Sequence, residues 1–141
     1  MTVIDNKLID SVTEKAKQSP RLRMNHNLHL SLEDKAHRLF NAMEPGTMVP
    51  VHRHKDSAET MILIRGSIRV LIYNDDASLR ESFVLTRDSD RFGIHLEKGE
   101  WHTVEVLESG TVFFEVKDGP YKAPGPDEVM KLEGKELCKI L

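Results

Sequence analysis

Residues 46–66 read GTMVPVHRHKDSAETMILIRG, and three metal-type side chains in them, His52, His54 and Glu59, fall within eight positions. Side chains on a strand alternate between faces, so His52 and His54 point the same way, with Met48 and Pro50 on the same face. Lys55, Asp56, Ser57 and Ala58 are small or polar and suit a turn. TMILIR, apolar and β-branched, reads as the returning strand. The spacing predicts a hairpin that carries two imidazoles up one strand and sets a carboxylate opposite them, which is what a divalent metal needs. An HxH by itself favours an ordinary exposed strand; the carboxylate and the bracketing Gly46 and Gly66 turn the reading to metal.

The spacing Gly46, five residues, His52-x-His54, four residues, Glu59, six residues, Gly66 resembles the first signature motif of the cupin superfamily. Gly99-Glu100-Trp101-His102 resembles the end of the second motif, with Glu97 where the motif has Pro and Val106 where it has Asn. Over about residues 5–121 the chain is similar to the WbuC-type cupin-fold metalloproteins, through SPRLRMNHNLH (19–29), FNAMEPGT (40–47), the HRH stretch and GTVFFEVKDGPY (110–121). The resemblance implies an all-β fold: a single cupin (double-stranded β-helix, or jelly-roll) barrel with a short N-terminal helix. It also implies His102 as a fourth ligand beside His52, His54 and Glu59. The WbuC likeness implies a role in O-antigen or lipopolysaccharide biosynthesis.

Length and charge narrow the rest. A chain of 141 residues suits one domain with a real core. A net charge of −3 gives no basic patch for nucleic acid. No apolar run approaches a membrane span, and TVIDNKLIDSV is acidic rather than a targeting signal, so a cytoplasmic protein without a membrane partner is expected. Cys138, the single cysteine, excludes an intramolecular disulfide and reads as incidental.

Along the chain, residues 1–20 are expected to form a helix packing on the barrel, 21–121 the barrel, and 122–141 a tail. Leu8, Ile9, Val12 and Ala16 recur at helical spacing behind Asp5 as N-cap, and Pro20 ends the helix. Thr60–Arg65 and Ser67–Asn74 read as a hairpin turning at Gly66, and Thr103–Leu107 and Thr111–Lys117 as strands paired across Glu108–Gly110. Because the first of these is apolar on both faces, one is expected to face the barrel interior and the other to meet the N-terminal helix or a second subunit, the latter giving the expected homodimer. The tail begins as a Pro/Gly linker and is expected to end in short helices over the barrel mouth or in disorder.

Three His and one Glu, with no cysteine near, suit one divalent transition metal, Zn, Fe, Ni or Mn, with positions left for water or a small-molecule ligand. Three readings stand open: a metal-dependent enzyme (an isomerase or epimerase, or an oxygenase) on a small oxygen-rich, sugar-like or carboxylate molecule; a non-catalytic metal- or ligand-binding sensor; and a structural metal. An enzyme needs a general base, for which Glu97, Glu105 and Glu115 are candidates; the catalytic residues stay unassigned. His37 and His95 read as surface, Trp101 as a packing anchor. Arg23, Asn25, Asn27 and His29 share one strand face and offer an anion or hydroxyl-binding wall, with the Tyr121 hydroxyl at the mouth.

Overall fold

The computed structural model describes residues 1–137, so Cys138 and its reading lie outside the described residues. The first element is α1 (Asn6–Gln18). The Asp5 carboxylate accepts from the Leu8 amide at 2.9 Å, and Lys15 and Lys17 lie in the last turn, favourable to the helix dipole. Ile9, Val12 and Ala16 make its buried stripe.

Among the described residues ten strands follow: β1 (Arg23–Asn27), β2 (Ala36–Met43), β3 (Glu59–Arg65), β4 (Ser67–Tyr73), β5 (Leu79–Thr86), β6 (Gly93–Leu96), β7 (Trp101–Val106), β8 (Thr111–Asp118), β9 (Lys131–Leu132) and β10 (Lys135–Glu136). They divide into a five-stranded sheet, β1-β2-β8-β3-β6, a three-stranded sheet, β5-β4-β7, and the small pair β10-β9. This corrects the expected single jelly-roll barrel. Each sheet is open, with two edge strands, and among the described residues no sheet closes into a barrel.

The correction has a local cause. The strands expected to pair across Gly66 and across Glu108–Gly110 lie in different sheets: β3 pairs with β6 and β8, while β4 pairs with β5 and β7. At Gly66 the chain turns with φ +76°, and a Cβ there would overlap Thr111, so only glycine permits the crossing. Changing sheets lets two apolar faces meet instead of two strand edges. Met61, Leu63 and Phe113 of the larger sheet pack against Ile68, Val70, Val104 and Val106 of the smaller.

Part of each outer face is covered from within the chain. On the larger sheet, Phe40, Ala42 and Val112 lie under Ile9, Val12 and Ala16 of α1, with Ile64 packed at the side. On the smaller sheet, Leu71, Tyr73 and Trp101 lie under Val51 and Met130. Of the two covers expected for the outer face of the Thr60–Asn74 strands, the N-terminal helix reaches Ile64, while Ile62 lines an open groove. The tail forms no helix among the described residues. It runs as an extended strap that bonds along residues 51–53 (Met130 N to Val51 O 2.8 Å, Arg53 N to Glu128 O 3.0 Å) before the β9–β10 turn. No helix of the described residues is long and apolar enough to cross a membrane.

Candidate metal centre

His52 and His54 lie in an irregular crossing segment rather than on the expected hairpin strand. His52 exchanges backbone hydrogen bonds with His102 of β7, at 2.9 Å each way, and bridges Val129 of the strap on its other side. The histidine segment thus pairs with β7, while Glu59 opens β3 in the other sheet. Tertiary packing brings the ligands together: one from each sheet and two from the segment between.

The four ligand atoms of His52, His54, Glu59 and His102 all lie within 4.8 Å of one another. His102 Nε2 is 2.7 Å from Glu59 Oε1, and His54 Nε2 is 3.4 Å from Oε2. The His52 and His102 Nδ1 atoms donate to the Pro50 and Glu100 carbonyls at 2.8 and 2.9 Å, which turns each Nε2 toward the centre. Backbone partners of this kind orient metal-binding imidazoles. Metal–ligand distances of about 2.0–2.2 Å put two ligands of one ion no more than about 4 Å apart, so a small inward shift completes the fit. The four residues could hold one divalent metal.

Burial and the neighbouring His102 lower the His52 pKa to about 4, so that ring stays neutral and able to ligate. Burial opposes ionisation of Glu59, but the hydrogen bonds and charge of His102 and His54 win and hold its carboxyl well below the usual range. His102 answers in kind: burial lowers it, the Glu59 carboxylate raises it, and the net shift is upward.

A second carboxyl shares the enclosure. Glu115 is raised to about 7, first by burial and next by the Glu59 charge, with Lys117 opposing. Asn41 Nδ2 donates to it at 2.5 Å, and Lys117 Nζ stands 4.0 Å from its other oxygen. Register explains the grouping: Glu59 lies opposite Lys117 and Met61 opposite Glu115, so β3 and β8 turn all four to one sheet face. These side chains line a cavity of about 370 Å³ with Arg21, Arg23 and Tyr121 at its wall. A more open apolar groove of about 610 Å³ between β5 and β6 shares no residue with it and holds no such cluster.

The other expected site residues separate. Arg23 and the half-exposed Tyr121 line the cavity. Asn25 and Asn27 are exposed, do not line it, and bond to each other at 2.7 Å. His29 is buried elsewhere: β1 ends at Asn27, the alternation stops, and His29 stacks on His37 with ring centroids 4.0 Å apart. His37, expected at the surface, is buried there, its Nε2 donating to the Leu32 carbonyl at 3.1 Å. Of the candidate bases, Glu97 is exposed beside His95 and Glu105 is tied to Arg69. Lys117 was passed over, although it follows Glu115 by two positions on one strand. Trp101 anchors packing, its Nε1 donating to Asp75 at 2.9 Å.

Residues 4–85 match the family described as Domain of unknown function (DUF6016). The chain belongs to the DUF6016 family. No curated protein matches it. Among solved structures, this DUF6016 chain is similar to KdgF from Halomonas sp. (12% identity, TM-score 0.57, covering 74% of this chain and 84% of that one). It is also similar to the Cnp3 cupin domain of Schizosaccharomyces pombe (14%, 0.54, 68% and 64%). A third is the capsular polysaccharide assembling protein CapF of Staphylococcus aureus (15%, 0.55, 71% of this chain but only 28% of that one). At such identities the likeness is one of fold alone.

Proposed function

We propose that this chain is a metal-dependent enzyme acting in the cytoplasm on a small oxygen-rich molecule, sugar-like or carboxylate, in surface-polysaccharide biosynthesis of the O-antigen or lipopolysaccharide kind. The observation that carries the enzymatic reading is Glu115, a buried carboxyl in the same cavity as the His52, His54, Glu59 and His102 cluster. A bound divalent ion would act as a Lewis acid on a substrate oxygen. Glu115 takes or returns the proton, its value near 7 suiting transfer in either direction at neutral pH. Asn41 holds one Glu115 oxygen and Lys117 stands beside the other, so the carboxyl keeps one orientation. Phe113, Met61 and Val104 give the cavity an apolar part of its wall. The polysaccharide role is supported by the WbuC-type resemblance and by a fold shared with CapF, both analogies.

The test is elemental analysis of protein purified anaerobically, followed by NMR of a panel of sugars and sugar acids with wild type and Glu115→Gln. One metal per chain in both proteins, with turnover in wild type only, is expected. Equal turnover by the variant removes Glu115 from the chemistry. Saturable binding without turnover makes the protein a sensor instead.

A further inference from the structure

We infer that the molecule taken into this cavity is an anion, gripped by Arg21 and Arg23, with its other end presented to the histidine cluster and Glu115. The inference rests on the preceding reading of the cluster as a metal site, and it names the substrate's charge. Three cations line the cavity: Arg21, Arg23 and Lys117. Lys117 faces Glu115. The two arginines have no carboxylate within ion-pairing distance among the described residues, as is true of the exposed Arg38 and Arg91, whereas Arg53, Arg65, Arg69, Arg80 and Arg87 each have one. Arg23 is half-buried, and a cation withdrawn from water calls for a counter-charge.

The backbone between them is held in an uncommon shape. Leu22 has φ +54°, in the left-handed region that non-glycine residues seldom adopt. Its carbonyl accepts from the Glu44 amide at 2.9 Å and the Thr47 hydroxyl at 2.7 Å, which keep it there. The two arginines flanking it line the same cavity. An adjoining cavity of about 260 Å³ shares Arg21, Arg23, Asn41 and Met43 with the first. The arginines therefore stand where two chambers meet, with room for a substituent beyond the charged group. A guanidinium fork fits carboxylate and phosphoryl oxygens alike.

Zinc-loaded protein titrated calorimetrically with glucuronate, glucose 1-phosphate and glucose tests the inference. At least one of the two anions is expected to bind and glucose is not; which anion binds tells carboxylate from phosphoryl. Arg23→Ala should weaken that binding about tenfold to a hundredfold, the loss of one charge-assisted hydrogen bond, while zinc stays at one per chain. Arg23→Lys should recover part of it. Should Arg23→Ala fail to fold, the exposed Arg21→Ala reads the same contact. Glucose binding as tightly as either anion, no binding of either anion at millimolar concentration, or full affinity in the folded alanine variant overturns the inference. The two readings fail separately: anion binding that depends on Arg23 in protein that takes up no zinc would sink the metal reading and leave this one standing.

Discussion

Glu59 meets two imidazoles at once, one on each oxygen, and the balance among these groups makes the site sensitive to pH. In metal-free protein His52 stays neutral down to about 4, whereas in the unfolded chain it takes a proton near 6.5. A proton bound only by the unfolded state favours unfolding, so the His52 contribution costs stability as pH falls from about 6.5 toward 4. His102, raised, has the opposite sign: its stabilisation is present below the unfolded value and lost as pH rises through the folded one. The two partly cancel in wild type, and a variant separates them. Between pH 7 and pH 5, stripped wild type should lose about 2 kcal/mol relative to stripped His52→Gln, read from urea midpoints. A constant difference between the two proteins would show that His52 is not held neutral by burial. His52 and Glu59 were legible as a set because their spacing is local. Glu115 was one of three candidate carboxylates, and only its place opposite Met61 on β3 separates it from Glu97 and Glu105.

Among the elements, the strap over residues 125–137 does most to hold the histidine segment. It bonds Val51 and Arg53 through backbone, Lys55 N donates to Glu128 Oε2 at 3.0 Å, and Lys55 Nζ pairs with Asp127. Met130 also caps Leu71, Tyr73 and Trp101. Truncation before Gly125 should loosen His52 and His54, lower zinc affinity at least tenfold, and uncover that apolar face, increasing self-association in light scattering. Unchanged affinity would mean that β7 alone positions the segment. This role was illegible in the chain: KAPGPDEVMKLEGKELCKIL reads as a linker with a weak end, and its value lies in backbone bonds to residues some seventy-five positions earlier.

Across the whole molecule, a metal at this centre would tie one sheet to the other, since Glu59 belongs to the larger and His102 to the smaller. An ion bound only by the folded state stabilises it by about 4 kcal/mol at a free concentration a thousand times its dissociation constant. For a domain of this size that is a Tm rise of about 10 °C or more. Differential scanning calorimetry with zinc, then with excess chelator, should show the shift, and a His52→Ala/His102→Ala variant should show none and retain no stoichiometric metal. A metal-induced shift that survives both substitutions would place the ion elsewhere.

By itself the sequence determined three residues of the centre, His52, His54 and Glu59, with His102 implied only by the cupin resemblance, the helix with its cap, the positions of most strands, and a chain apolar on both strand faces. Those features depend on neighbours within one or two turns or on period-two alternation, which a linear reading captures. Tertiary structure decided the rest. It put β3 and β4 into opposite sheets across Gly66, left both sheets open, and laid α1 on the larger sheet and the strap on the smaller. It also ended β1 at Asn27, so His29 turned to stack on His37 while Arg23 stayed on the cavity wall. The physical reason is common to all of them: alternation says which side chains share a face, but pairing and coverage are chosen by contacts between residues far apart in the chain.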